Sequence, residues 1–283
     1  MCVLFEKSES IAIDTEYVRE STYYPQPSLV QISDGTVHVL LDIMALRDLH
    51  PLRKLLAQTT ITKVIHSYQQ DLMLLECIAC PITESLFDTQ MAASFLGFGH
   101  MIGYQDLVRE SLGIKLKKGY ARSDWLTRPL SKEQIKYAVE DVIYLNELYD
   151  LLKKRLQESG KLEWFEEDSK RTLEDYYAHS FERAIPKVTG QGQLFSADEK
   201  RRLRKLVEWR EEKAMQVNIP RRWLVKDECL IAVAQNQMSL SALAKTCEEH
   251  LDVDIDDLET RLQSCQPTMD IRIYRLCIQC IDP

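Results

Sequence analysis

Residues 11–19 read IAIDTEYVR, and this stretch limits what the chain can become more than any other. Ile11 and Ile13 alternate with small or polar residues, the pattern of inward-facing positions on a β-strand. Residues i and i+2 of a strand share a face, so Asp14 and Glu16 point the same way. Two carboxylates side by side on a half-buried strand repel each other and cost stability. A divalent cation removes that cost. Taken alone, the segment also fits a strand running out into an exposed turn.

The rest of the first half supplies a scaffold for such a strand. SLVQIS (Ser28 to Ser33) alternates, Asp34-Gly35 is a two-residue hairpin turn, and Thr36 to Asp42 is a third strand. Asp48 to Ala57 carries leucines at helical spacing. Lys63 to His66 is a short strand, after which Ser67 is expected to cap a helix running to about Cys77. Leu86 and Phe87 precede Asp88, which can cap the next helix. The order β-β-β-α-β-α-β-α predicts an α/β domain on a mixed sheet. Gly113 ends a helix from Tyr104, and Lys115 to Pro129 reads as irregular. Ser131 with Gln134 forms a capping box, opening one long helix expected to run to Leu156–Gly160. Another helix covers Glu163 to about Arg183, and Pro186 to Gln193 is the clearest linker. A second capping box, Ser196 with Glu199, starts an all-α unit, with further helices at Asp227–Ala234, Leu240–Cys247, Asp256–Cys265 and Met269–Cys280.

Two further acids gain meaning from their positions. Asp71 lies in the early turns of the helix in KVIHSYQQDLMLLE, where the helix dipole alone accounts for it. Tyr137 and Asp141, in KYAVEDVIYL, are i and i+4 and share one helix face. Phosphodiester hydrolysis needs a nucleophile made from water and relief for charge on the leaving oxygen. Two Mg²⁺ or Mn²⁺ ions roughly 4 Å apart provide both, and these hard cations prefer carboxylate oxygens. Four acids, two from a strand and two from separate helices, can converge on such a pair. A tyrosine hydroxyl one helical turn from a ligand can orient the attacking water.

In this order, DTE followed by YYP, HSYQQDL, FDTQMAASFLG, SDWLTRPLS and YAVEDV resemble the exonuclease domain of the ribonuclease D family, over about Ile11 to Trp164. That family belongs to the DEDD 3′–5′ exonucleases with a tyrosine in the third motif. LRKLVEWREEKAMQVNIPRRWLVKDECLIAVA is similar to an HRDC domain, the helical nucleic-acid-binding module that follows the nuclease in this family. The resemblance implies an RNase H-like domain over residues 1–172, a connecting helix and linker over 173–193, and an HRDC-like domain over 194–283. It implies that Asp14, Glu16, Asp71 and Asp141 hold two divalent cations, and that Tyr137 positions water or helps deprotonate it. The implied activity is removal of nucleotides from RNA 3′ ends as nucleoside 5′-monophosphates, with tRNA precursors foremost. A DNA 3′–5′ exonuclease and a non-catalytic RNA-binding protein on the same scaffold stand as alternatives. The family pattern also places more than 13 residues before its first motif, and its bacterial members often carry two HRDC units where residues remain here for one.

Charge and cysteine usage bound the partners. A net charge of −8 over 283 residues argues against indiscriminate coating of nucleic acid. The average hides a basic stretch, Lys200 to Lys226, with ten Lys/Arg against three Glu, and a second from Lys115 to Lys136. In the first, Arg201, Arg204, Arg221 and Arg222 are candidates for nucleic-acid contacts. In and near the second, Arg122, Trp125 and Arg128 are candidates to meet a base and phosphates, as is His66 beside the Asp71 helix. Eight cysteines without an export signal suggest reduced thiols in the cytoplasm. Cys77-x-x-Cys80 and Cys277-x-x-Cys280 lie on or beside apolar helical segments without a histidine knuckle, and read as buried thiols rather than zinc ligands. No apolar run is long enough to span a membrane, and no obligate protein partner is evident.

Overall fold

The structure, a computed structural model, describes residues 2–117, 119–178, 185, 188, 195–247 and 253–263. These separate into two units: residues 2–18 with 25–176, and residues 19–24 with 177–263.

The first unit is built on a five-stranded mixed sheet in the order β3-β2-β1-β4-β5. Its strands are β1 (Ser10–Val18), β2 (Gln26–Ser33), β3 (His38–Asp42), β4 (Thr62–Ile65) and β5 (Leu86–Asp88). β1 pairs antiparallel with β2 and parallel with β4, so the acidic strand lies at the sheet centre. Asp34 makes the β2–β3 turn by accepting the Thr36 and Val37 N–H groups, while Gly35 takes the positive φ that the turn demands. Ile11, Ala12 and Ile13 are all fully buried, so both faces of β1 are covered. Ala12 packs with Val64, Phe87, Val142, Leu145 and Leu148 on one face.

The helices of this unit are α1 (His50–Leu56), α2 (Gln69–Cys77), α3 (Thr89–Phe95), α4 (Tyr104–Leu112), α5 (Lys132–Ile143), α6 (Leu145–Glu158) and α7 (Leu162–Ala178). Two local expectations need correction. Ser67 does not cap α2: it takes φ +66°, and the N-cap residue is Tyr68, with no side-chain cap bond. The buried carboxylate of Asp88 does that work, accepting N–H donors from Ser67 and Tyr68 ahead of α2 and from Gln90 and Met91 in α3. The long helix after Ser131 is two helices, broken at Tyr144, although its capping box with Gln134 is present. No proline or glycine marks that break.

The second unit is helical: α8 (Ala197–Val217), α9 (Arg221–Leu224), α10 (Asp227–Ala234), α11 (Leu240–Cys247) and α12 (Ile255–Gln263). None of its described residues forms a strand. Ser196 and Glu199 form the expected capping box. Leu203, Leu206, Val207, Leu230, Val233, Leu243 and Leu258 make its core. α9 is a turn the apolar periodicity did not reveal, and the helix expected at Met269–Cys280 lies outside the described residues. Residues 19–24 belong here through Tyr23, whose hydroxyl donates to Glu211 at 2.8 Å, and through the Tyr23 and Tyr24 N–H groups, which donate to Asn218. Cys77, Cys80, Cys229 and Cys247 form no disulfide; Cys277 and Cys280 fall outside the described residues.

Candidate active site

β1 and α5 build the centre. Alternation puts Asp14 and Glu16 on the β1 face against which α5 packs, and Asp141 projects from α5 one turn after Tyr137. One carboxylate oxygen from each of Asp14, Glu16 and Asp141 lies within 4.8 Å of the others. Asp71 stands outside that trio. It belongs to α2, and its Oδ1 accepts the Thr15 hydroxyl at 2.7 Å. Thr15 shares the β1 face of Ile11 and Ile13, and the charge of Asp71 still raises both Asp14 and Glu16, so Asp71 stands beside the trio.

Burial and mutual repulsion leave these acids short of positive charge. Asp14 is held well above the usual carboxylate range by burial, then by the charges of Asp71, Asp141 and Glu16. Burial followed by Asp141 and Asp71 pushes Glu16 to about 9. Burial raises Asp71 to about 7 against the lowering bond from Thr15. It likewise raises Asp141 to about 7 against a bond donated by the Tyr137 hydroxyl. Tyr137 itself is pushed upward by burial and by the neighbouring carboxylates, so it remains a phenol. Such a set of hard oxygen donors, each costly to ionise without a counter-charge, fits Mg²⁺ or Mn²⁺. Beside it opens a pocket of about 240 Å³ lined by Gly103, Tyr104, Gln105, Asp106, Tyr137 and Asp141.

The 3′–5′ exonuclease family pattern matches residues 1–157, more than half of the chain, and the HRDC domain pattern matches residues 199–248. The chain belongs to the 3′–5′ exonuclease family. Ribonuclease D of Bartonella henselae is 39% identical over 232 residues, covering 81% of this chain and 57% of that one. Ribonuclease D of Xanthomonas oryzae is 39% identical over 225 residues, covering 80% and 62%. The chain therefore spans less than two thirds of the length of these relatives. The crystal structure of Escherichia coli RNase D, an exoribonuclease involved in structured RNA processing, superposes with a TM-score of 0.76 at 29% identity, covering 97% of this chain and 77% of that chain. Brucella melitensis NrnC bound to pGG superposes at 0.52 and 26% identity, covering 68% and 91%. The DEDD 3′–5′ exonucleases depend on metal, in keeping with the acidic trio.

Measured against this exonuclease frame, several expected nucleic-acid contacts are engaged elsewhere. Trp125 is 0% exposed, packed with Leu29 and Ala138, so its ring is closed to a base. Arg128 forms a bidentate pair with Asp42 and bonds the Trp125 carbonyl and Ser28, which makes it a clamp between loop and sheet. Both ring nitrogens of His66 are engaged, Nδ1 with Thr89 and Nε2 with the Ile102 carbonyl, and burial lowers its pKa. Arg122 is exposed. In the helical unit Arg201 pairs with Asp198, Arg204 with Glu208, Arg221 with Glu211, and Arg222 with Asp227 and Glu228. Among these four, Arg222 keeps the most exposed side chain, at 63%.

Two residues around the acidic centre were not anticipated. Thr15 sits between the two acids of the DTE motif, where strand alternation shows only that it faces away from them, and its hydroxyl donates to Asp71. Tyr104 donates to the Glu140 carbonyl at 2.9 Å and lines the pocket, joining the start of α4 to the residue before Asp141. Its position directly after Gly103 gave only a helix start.

Proposed function

We propose that this chain is a 3′–5′ exoribonuclease that hydrolyses nucleotides from RNA 3′ ends and releases nucleoside 5′-monophosphates. The observation that carries it is the convergence of Asp14, Glu16 and Asp141 oxygens within 4.8 Å beside a tyrosine-lined pocket. Asp14, Glu16, Asp71 and Asp141 are the residues that would hold two divalent cations, Mg²⁺ or Mn²⁺. Bound there, the cations would make a nucleophile from water near neutral pH and offset charge on the leaving oxygen. The chain's own residues do the rest. Thr15 fixes the Asp71 carboxylate, and the Tyr137 hydroxyl fixes that of Asp141. The Tyr137 hydroxyl, one helical turn from Asp141, is placed to position the attacking water or to help deprotonate it.

The ribonuclease D relatives support RNA as the substrate class, and the proposal extends to structured precursors such as tRNA, acted on in the cytoplasm. No helix among the described residues is long and apolar enough to cross a membrane. The domain reading follows the same lines: nuclease over 1–172, connector over 173–193, and an HRDC-like nucleic-acid-binding domain over 194–283. There Arg201, Arg204, Arg221 and Arg222 are the proposed phosphate contacts. Incubating the purified protein with 3′-labelled RNA or DNA of one sequence, in Mn²⁺ or EDTA, tests the activity. Mononucleotide release from RNA, lost in EDTA, is expected. Preference for DNA would move the chain to the deoxyribonuclease reading, and no release from either would leave a binding protein.

A further inference from the structure

Between α4 and α5 the described residues form no helix or strand, and among them is a part-exposed aromatic residue, Tyr120. The Tyr137 ring meets two others, buried Trp125 and part-exposed Tyr120, each with its centroid 6.1 Å away. Trp125 is completely buried and belongs to the small core of Leu29 and Ala138 on which Tyr137 also packs. Tyr120 is not part of that core and leaves 37% of its surface in solvent. Its backbone is nonetheless fixed, because the Ser123 N–H donates to the Tyr120 carbonyl at 3.0 Å and the Ser123 hydroxyl bonds the same oxygen. The loop is also tied to the pocket wall, since Gln105 Nε2 donates to the Lys117 carbonyl at 3.4 Å. Exposed Arg122 lies two residues further on.

We propose that Tyr120 is the platform on which the base of the 3′-terminal nucleotide stacks. This rests on the exoribonuclease reading above. Tyr137 bonds Asp141 at the centre where the scissile phosphate would be attacked, and Tyr120 is its part-exposed neighbour. A base lies one sugar away from its own 5′ phosphate, which suits a ring next to Tyr137 and not one at the carboxylates. Stacking also suits the task. Every base has a π-face, and an enzyme that removes each nucleotide in turn needs contact without sequence choice.

The test uses the whole protein in Mn²⁺ and two oligoribonucleotides of one sequence, one ending in a 3′ adenosine and one ending in an abasic ribose. For the wild type, KM is expected to be about tenfold lower on the adenosine end, a stacking difference of about 1.4 kcal/mol. Tyr120→Ala should erase that difference, and Tyr120→Leu, which restores apolar bulk without a π-face, should not bring it back. Tyr120→Phe, which keeps the ring, should retain it. A difference that survives in Tyr120→Ala or Tyr120→Leu overturns the stacking role. So does an active wild type that treats both ends alike, or a Tyr120→Ala variant that raises KM by one factor on both, which would make Tyr120 a prop for the loop. Wild-type protein that releases nothing from either oligonucleotide overturns the exoribonuclease reading itself, and this inference with it.

Discussion

Glu16 shows what a residue in this centre costs the fold. Its carboxyl is raised to about 9 from 4.5, so between those pH values the folded state binds more protons than the unfolded state. Stability of the metal-free protein must then fall as pH rises through that window, and Asp71 and Asp141, both raised to about 7, add to the fall. In EDTA at pH 8, Glu16→Gln should melt several degrees above the wild type, at about 2–4 °C per kcal/mol for a domain of this size. The two should converge near pH 5, and Mn²⁺ should stabilise the wild type at pH 8 far more than the variant. A Glu16→Gln protein that melts lower at pH 8 would show that the acids do not burden one another. Tyr137 and Asp141 share a face but should fail differently. Asp141→Asn removes a member of the trio, with an expected fall in turnover of about 10³-fold and loss of Mn²⁺ affinity by calorimetry. Tyr137→Phe should lose about 10²-fold or more in turnover with metal affinity near that of the wild type. Equal loss of metal in both would make Tyr137 a structural prop. Most of this centre was legible because alternation and i,i+4 spacing are local rules. Thr15 and Tyr104 were not, since their partners, Asp71 and the Glu140 carbonyl, come from other elements.

At the scale of elements, local grammar was reliable where a cap and its helix are adjacent in sequence. Ser131 with Gln134 and Ser196 with Glu199 form the boxes their spacing announces. It failed where the cap comes from afar. Ser67 occupies the expected cap position for α2, yet Asp88, from 21 residues downstream, takes its N–H. One carboxylate thus closes α3 and holds the entry to α2, the helix that carries Asp71. Asp88→Ala removes acceptors for four N–H groups, of Ser67, Tyr68, Gln90 and Met91. A single cap is worth about 0.5–2 kcal/mol, and two helix entries together should cost about 2–4 kcal/mol. The melting temperature should fall by roughly 5–15 °C. Ser131→Ala, at an exposed cap, should cost about 1 kcal/mol, so a comparable loss in both variants would show that Asp88 serves α3 alone. The break between α5 and α6 at Tyr144 had no signal in residue type, because neither proline nor glycine marks it.

Across the whole molecule, the order of motifs was readable and the disposition of charge was not. A run of basic residues reports composition, whereas availability depends on which carboxylates folding brings alongside. Arg210 is the extreme case: 1% exposed, it donates to Asp227 at 2.7 Å and to the Val225 carbonyl at 2.9 Å, so it is part of the helical unit's interior. Its replacement should unfold that unit and report nothing about RNA. Deleting residues 194–283 is equally uninformative, since it strips Tyr23 and Tyr24 of Glu211 and Asn218. Arg222 and Lys226 are the better probes. Both are exposed, and the Arg222 ion pairs, at 3.3 and 3.7 Å, are solvated enough to exchange for a phosphate at small cost. If the helical unit grips RNA, Arg222→Ala with Lys226→Ala should weaken binding to a structured RNA and reduce the slope of log K against log [salt] by about 1.4–1.8. Turnover of a short oligoribonucleotide, too short to need that grip, should change little. The discriminating measurement is the slope itself. An unchanged slope would mean that RNA does not engage this face, and an equal loss on long and short substrates would place the two cations at the nuclease centre's service instead.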